Sequence, residues 1–132
     1  PEPEIADKTA LDMFVGPDFP NIGLQETKAK YVNREQLKVQ LLQLKENWSK
    51  IKERLSGQLI PYSEVKQRLQ LVGAPTEPEE IGITRKRLRE TFIRAQFIRR
   101  RFTVHDLPVR TGYMEDWLEG LFSKGKIWEI TD

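Results

Sequence analysis

The stretch NREQLKVQLLQLKENWSKIKERLSG, residues 33–57, decides the fold class of this chain. Because an α-helix has about 3.6 residues per turn, apolar residues at alternating steps of four and three stay on one helix face for about six turns. Asn33 is a residue type that caps helix N-termini, and Gly57 is one that ends helices. The stretch therefore predicts the longest helix of the chain, over residues 33–56. Its apolar stripe consists of Leu37, Leu41, Leu44, Trp48, Ile51 and Leu55.

The apolar face of this helix has two interpretations. It is either part of the hydrophobic core or a surface that binds a partner helix, as in a coiled coil. The stripe covers roughly three heptads, which is short for a coiled coil, and we therefore favour the core helix. On that interpretation Trp48 is buried, and replacing it with alanine should lower the free energy of unfolding by about 3–5 kcal/mol.

Signals for further helices follow along the chain. Residues 60–72 carry an apolar face, and Gly73 is placed to end that helix. Thr76 and Glu79 have the spacing of a capping box, in which each side chain bonds the other residue's backbone N–H. This pair predicts a short helix over residues 77–81. Thr84 is then placed to cap a strongly basic helix.

The C-terminal part of the chain continues in the same way. Thr103 and Asp106 indicate another helix start, and Pro108 about one turn later should remove a backbone hydrogen bond and bend that helix. A last helix is predicted over Met114–Phe122. No segment shows the sustained alternation of a strand. We therefore predict an all-α fold, an irregular helical bundle of about five to seven helices.

The predicted domain organisation follows from the prolines. Residues 1–25 contain four of the eight prolines, which discourage helix at the preceding residue, so we expect an irregular lead-in there. Residues 26–132 form the predicted helical domain. The chain begins with Pro1 rather than Met, and we take it as a fragment of a larger protein.

Composition limits the chemistry of the chain. It has no cysteine, so disulfides and thiolate metal sites are excluded. His105 is the single histidine, which excludes a site with several histidine ligands, and we expect it to be an exposed or partly packed polar residue. No apolar run approaches the roughly 18 residues that span a bilayer. We therefore expect a cytoplasmic protein that makes no membrane contact.

Basic residues cluster between residues 85 and 101. Eight arginines and lysines stand there against Glu90 alone, a local charge of +7 in a chain of net charge +2. Arg87, Arg94 and Arg101 recur every seven residues, so on a continuous helix they would share a face. Such a face could bind nucleic acid or an acidic protein, or it could be solvated or paired with acidic residues of the same protein. Stacking aromatic residues are sparse, so we do not expect nucleic acid as a partner.

Residues 73–107, GAPTEPEEIGITRKRLRETFIRAQFIRRRFTVHDL, carry a resemblance to a known family. They resemble the C-terminal segment of bacterial glycerol-1-phosphate dehydrogenases, which belong to the iron-containing alcohol dehydrogenase and dehydroquinate synthase-like superfamily. The upstream segment KAKYVNREQLKVQLLQLKENWSKIKERLSGQLIP and the later GYMEDWLEGLF are similar to the same family, so the resemblance covers about residues 26–122. The sequence departs from the family pattern at Arg100, Phe102, His105 and Pro108.

The resemblance implies a role in glycerol phosphate and phospholipid metabolism. Whole enzymes of this family place a Rossmann-like nucleotide-binding domain before an all-helical domain. They interconvert glycerol phosphate and dihydroxyacetone phosphate with NAD(P) and a divalent metal (zinc, nickel or iron). The metal ligands and nucleotide contacts lie before the point where this chain begins. The resemblance therefore implies no catalytic, cofactor-binding or metal-binding residue here, and no cofactor bound by this chain alone.

The implied partners are the N-terminal nucleotide-binding domain of the parent enzyme and a second copy of the parent in a homodimer. Arg99 and Arg101 match the family motif IR-x-R, which makes them the candidate contacts to a phosphate or to the domain interface. The alternative function is an independent helical adaptor that binds an acidic protein or nucleic acid through its basic helix.

Overall fold

A computed structural model describes residues 3–13 and 21–131 of the chain. Every regular element in this part is helical, which confirms the predicted all-α bundle. Two short 3₁₀ turns, Pro78–Ile81 and Ala95–Ile98, flank the basic helix α5. The seven α-helices are α1 (Pro3–Met13), α2 (Ile22–Lys30), α3 (Arg34–Gln58), α4 (Tyr62–Leu71), α5 (Arg85–Arg94), α6 (Asp106–Thr111) and α7 (Met114–Phe122).

Helix α3 begins as the sequence predicts. The Gln36 backbone N–H donates to the Asn33 side-chain oxygen at 2.9 Å, and the Asn33 N–H donates to Gln36 Oε1 at 3.0 Å. This capping box satisfies two of the backbone N–H groups at the helix start. Gly57 does not end the helix, which continues to Gln58 before the backbone becomes extended at Leu59.

The apolar stripe of α3 is not part of the core, so the core-helix prediction is wrong. No residue of α3 is buried, and Trp48 and Leu55 are each 42% exposed. The element that packs most closely against α3 is the short helix α6, which is too small to cover six turns. A periodic sequence defines which residues share a face, but it does not define what covers that face.

The observed core is small and contains no residue of α3. Phe92 of α5 is its aromatic centre, with ring-centroid distances of 5.3 Å to His105, 5.9 Å to Phe122 and 5.7 Å to Trp128. His105 is therefore a partly packed polar residue, as expected. In the described part of the chain the buried apolar residues are Ala10, Phe97, Leu118 and Phe122.

Two local predictions differ from the structure. The capping box before the first 3₁₀ turn uses Glu77 and Glu80 rather than Thr76 and Glu79, because the Glu80 carboxylate accepts from the N–H groups of Thr76 (2.6 Å) and Glu77 (2.7 Å). Pro108 is the third residue of α6, and the first turn of a helix has no intrahelical partner for its N–H groups. Its missing N–H therefore removes no helical hydrogen bond.

The N-terminal region is more regular than its prolines indicate. Within residues 1–25, the structure contains α1 and the first turn of α2, and the two helices pack together with Ala10 fully buried. An ion pair between Lys28 Nζ and Asp7 Oδ2, at 3.2 Å, joins them at the surface. Residues 14–20 lie outside the described part. No helix among the described residues combines the length and the apolar character of a bilayer-spanning segment.

Candidate functional site

The two candidate site residues lie on the segment 98–104, which runs from the last residue of the second 3₁₀ turn towards α6 and is called here the arginine segment. The basic helix ends at Arg94, and after the 3₁₀ turn the backbone is extended at Arg99, with φ −147° and ψ 141°. Arg101 therefore does not continue the helical face of Arg87 and Arg94. The predicted seven-residue stripe is wrong at this point, because the helical period stops before its third member.

Arg100 ties the arginine segment to α2. Its Nε donates to Glu26 Oε2 at 3.2 Å and its Nη2 donates to Glu26 Oε1 at 2.8 Å. Glu26 is only 8% exposed, so this two-point contact compensates a buried carboxylate. The hydrogen bonds from Arg100 hold the pKa of Glu26 below its usual value and outweigh the opposite effect of burial.

A buried ion pair fixes the ends of the same segment. Lys30 Nζ lies 2.5 Å from Asp106 Oδ1, and both side chains are at least nine-tenths buried. The Lys30 ammonium also donates to the carbonyl of Gln96, just before the segment. Asp106 Oδ2 accepts from the backbone N–H and the hydroxyl of Thr103, at 2.7 and 2.8 Å. Both ends of the arginine segment are thereby attached to α2 or α6.

Arg110 of α6 adds a third attachment. One of its guanidinium N–H groups donates to the carbonyl of Lys30, and the guanidinium carbon lies 5.9 Å from the centroid of the Phe102 ring. This distance is within the range of a cation–π contact. Burial lowers the pKa of Arg110, while the negative charge of Asp106 acts in the opposite direction.

Arg99 and Arg101 contrast with Arg100. Both are exposed, and neither has a hydrogen-bond or ion-pair partner in the part of the chain that the structure describes. The apolar residues around them are also open to solvent, with Ile98 46%, Phe102 56% and Val104 64% exposed. The anchored segment thus presents two guanidinium groups that have no partner among the described residues. A guanidinium group has the donor geometry for two-point contact with a phosphate or a carboxylate.

Most of the other basic residues in the cluster are already neutralised. Five of the eight between residues 85 and 101 form ion pairs within the described residues, while Lys86, Arg99 and Arg101 form none. This pairing supports the interpretation that the cluster is balanced by acidic residues of the same chain. The pairs are Arg85 with Glu77 and Glu79, Arg87 and Arg94 with Glu90, Arg89 with Glu115, and Arg100 with Glu26.

The residues do not fit the cofactors that the family resemblance implies for the parent. Among the described residues, no three His, Asp or Glu side chains converge on a point where a metal ion could bind. The ring of His105 packs against Phe92, and the neighbouring Asp106 is engaged by Lys30 and Thr103. The sequence also lacks a glycine-rich turn that could admit the pyrophosphate of NAD(P).

The structure also shows a second surface, on the face of α3 that was predicted to be part of the core. An open cleft of about 380 Å³ runs between α3 and the pair α6–α7. Trp48 lies on one wall, and Tyr113 and Trp117 lie on the other. The apolar stripe of α3 was the sequence signal for this surface, through the partner-helix interpretation that we did not favour. Nothing in the sequence pattern indicated the opposite wall.

The anchored Glu26 leads to a pH-dependent prediction. Since the folded-state pKa of Glu26 lies below its unfolded value of about 4.3, its contribution to stability should be present above that pH and should disappear as the pH falls through the folded-state pKa. Glu26→Gln should therefore be destabilising at about pH 7 and much less so at about pH 3. Urea titrations of the variant and of the unmodified chain at both pH values measure the two differences in the free energy of unfolding.

Glu64→Gln is the matched control, because Glu64 pairs with Arg68 on the exposed surface of α4. Its effect should be small at both pH values. Glu26→Gln could instead lower the free energy of unfolding by the same amount at both pH values. That result would contradict the assignment of the Glu26–Arg100 pair.

Comparison of the chain with protein-family models, with curated proteins and with solved structures gives no match. The resemblance to glycerol-1-phosphate dehydrogenases therefore remains a prediction.

Proposed function

We propose that this chain is the C-terminal helical domain of a cytoplasmic glycerol-1-phosphate dehydrogenase-like oxidoreductase and is not catalytic alone. In this proposal it closes the active-site cleft and supports assembly of the enzyme. NAD(P) and the divalent metal belong to the N-terminal nucleotide-binding domain, which is the main partner. The observation that carries the proposal is the pair of unpartnered guanidinium groups, Arg99 and Arg101, on a segment that is anchored on both sides.

The anchoring supports a binding role for these arginines. A charged group that is held before its ligand arrives loses less conformational entropy on binding. Arg100, which stands between Arg99 and Arg101, bonds Glu26 of α2. Lys30 of α2 bonds Gln96 and Asp106, which flank the arginine segment. The resulting pair suits the phosphate of the glycerol phosphate substrate, or an acidic group at the domain interface.

The uncovered apolar surface supports the presence of a further domain. Large exposed apolar areas on a small protein typically mark contacts with a partner. Several aliphatic side chains at helix ends or in the connections between helices are more than half exposed, and the described core is small. A nucleotide-binding domain or a second copy of the enzyme would cover them. The exposed aliphatic residues in question are Leu59, Leu71, Val72, Ile81 and Val104.

The proposal can be tested by recombining the two halves of an enzyme. The chain is mixed with a separately produced nucleotide-binding domain of a bacterial glycerol-1-phosphate dehydrogenase, and reduction of dihydroxyacetone phosphate is followed by NAD(P)H absorbance. We expect activity only in the mixture. Replacing both Arg99 and Arg101 with alanine should lower kcat/KM by at least about 100-fold, since each charge-assisted contact contributes about 1.5–3 kcal/mol.

Lys86→Ala is the control for this experiment, because Lys86 is also exposed and unpaired in the described part of the chain but lies on α5, away from the arginine segment. Thermal unfolding of each variant excludes loss of folding as the cause. Turnover by the chain alone, or equal activity of the double arginine variant and Lys86→Ala, would refute the proposal. The reading frame upstream of Pro1 is an independent check, where we expect a βαβ unit with a glycine-rich turn.

The alternative, an adaptor that binds an acidic protein or nucleic acid through its basic helix, has less support. All four arginines on α5 already pair with carboxylates of the chain, and Lys86 is the one basic residue of that helix without an ion pair among the described residues. A phosphate backbone would have to compete with those internal partners. The free cations Arg99 and Arg101 lie beyond the end of that helix.

A further inference from the structure

The cleft between α3 and α6–α7 has the apolar lining of a helix-binding groove. One wall is formed by Leu41, Leu44 and Trp48 of α3, and the other includes Leu107 of α6 and Trp117 of α7. Both tryptophans are 42% exposed, so the walls are accessible to a partner. The apolar stripe continues along α3 beyond the cleft, from Leu37 to Leu55, which spans roughly 27 Å at 1.5 Å per residue.

Lysines line one edge of this stripe. Lys38, Lys45 and Lys52 recur every seven residues, and at about 100° of rotation per residue they lie about 60–100° from the centre of the apolar face. Lys45 itself borders the cleft. The carboxylates at residues 46 and 53 lie about 160–180° from that centre, on the opposite side. Glu35, near the start of α3, lines a second depression that it shares with Lys38 and Lys45. The α3 edge of the groove is therefore positive along Lys38, Lys45 and Lys52.

These three lysines are available to a partner. All are exposed, and none forms a hydrogen bond or an ion pair with another residue that the structure describes. In paired helices, residues at such flanking positions select the partner through their charge. A positive edge beside an apolar floor therefore favours an amphipathic helix with acidic flanking residues.

A second copy of α3 does not meet this requirement. Antiparallel pairing of two α3 helices would place the lysine rows against each other. Parallel pairing would place them against the other flanking positions, Gln40, Asn47 and Arg54, which offer no carboxylate. The acidic helix α1 is not the occupant either, because α1 packs against α2 through the Asp7–Lys28 ion pair.

We infer that the α3 cleft is a docking site for an acidic amphipathic helix of another polypeptide. The apolar face of that helix would contact Trp48 and Trp117, and its carboxylates would pair with Lys38, Lys45 and Lys52. This inference does not rest on the proposed dehydrogenase function, since it involves neither Arg99 nor Arg101. A failure of one assay therefore leaves the other interpretable.

Designed peptides test the inference directly. The probe is a helical peptide of about three heptads that lacks tryptophan and carries Leu at the two apolar positions and Glu at the flanking positions. A second peptide carries Lys in place of each flanking Glu. Binding to the chain is followed by the blue shift of tryptophan fluorescence, because Trp48 and Trp117 lose contact with water. We expect the Glu peptide to bind at least about 10-fold more tightly, with a difference that shrinks as salt is raised.

Charge reversal of the groove provides the decisive comparison. Exchange of Lys38, Lys45 and Lys52 for glutamate should invert the preference, so that the Lys peptide binds more tightly. The matched control exchanges three exposed lysines away from the cleft, Lys50, Lys124 and Lys126, and should keep the original preference. Circular dichroism establishes that each variant is folded.

Three results would overturn the inference. The first is equal affinity for both peptides, which would indicate non-specific apolar adhesion. The second is that the control variant also binds the Lys peptide more tightly than the Glu peptide, which would indicate an effect of net charge alone. The third is failure of a folded chain to bind the Glu peptide, including the case in which sedimentation shows that a second copy of the chain occupies the cleft.

Discussion

Replacing Leu118 with alanine is expected to lower the free energy of unfolding by about 2–5 kcal/mol. Leu118 lies on α7, is 1% exposed, and is the largest fully buried side chain in the described part of the chain. Its truncation removes buried apolar area and leaves a cavity that close-packed neighbours cannot fill completely. Since small domains are stable by only about 5–15 kcal/mol, this is a large share of the total. Equilibrium unfolding in urea measures it.

Trp48→Ala is the control, because Trp48 lies on the uncovered cleft and Leu118 lies in the core. Trp48 is the larger side chain, but it is 42% exposed and borders an open cleft. Its truncation creates no enclosed cavity, so we expect a loss of only about 1 kcal/mol. A loss for Trp48→Ala equal to or larger than that for Leu118→Ala would show that α3 is covered in the folded chain, and would contradict the exposed cleft.

Replacing Lys30 with methionine is expected to lower the free energy of unfolding by about 3–5 kcal/mol, because it leaves the buried Asp106 carboxylate without its counter-charge. The two side chains are 10% and 6% exposed, and Lys30 also bonds the carbonyl of Gln96. The pair joins α2 to the segment between the second 3₁₀ turn and α6, so its loss should also loosen the arginine segment. Urea titration measures the stability, and proteolysis after Arg99 or Arg101 measures the loosening.

Lys28→Met is the matched control on the same helix. Lys28 pairs with Asp7 at the surface, where its side chain is 59% exposed, and such pairs contribute at most about 1 kcal/mol. A double variant, Lys30→Met with Asp106→Asn, should recover part of the lost stability, because it removes the uncompensated charge. Equal effects of Lys28→Met and Lys30→Met would contradict the burial of the Lys30–Asp106 pair.

The candidate site could be predicted only in part from the sequence. The motif around Arg99 and Arg101 was visible in the sequence, and both residues lie exposed on one segment. The sequence showed a run of three arginines but could not distinguish Arg100 from its neighbours. That distinction depends on Glu26, which is 74 residues away along the chain. The pairing arises only when α2 packs against the second 3₁₀ turn.

The predicted helix boundaries agree with the structure where the sequence signals for them are local. The Asn33 cap, the Thr84 cap and the end of a helix at Gly73 are all present, and the last helix has the predicted bounds Met114–Phe122. Each of these features involves residues that are within five positions of each other. Gly73 has φ +69°, a conformation that glycine adopts without steric penalty.

The sequence by itself determined the fold class, most helix boundaries and the amphipathic face of α3, since these depend on hydrogen bonds and periodicities within a few residues. Only the tertiary structure decided which faces are covered. It left the Trp48 face open, placed the core around Phe92, and joined Lys30 to Asp106 across 76 positions. The physical reason is that burial and ion pairing depend on how the helices pack, and a helical periodicity is the same whether its apolar face meets the core, a partner or water.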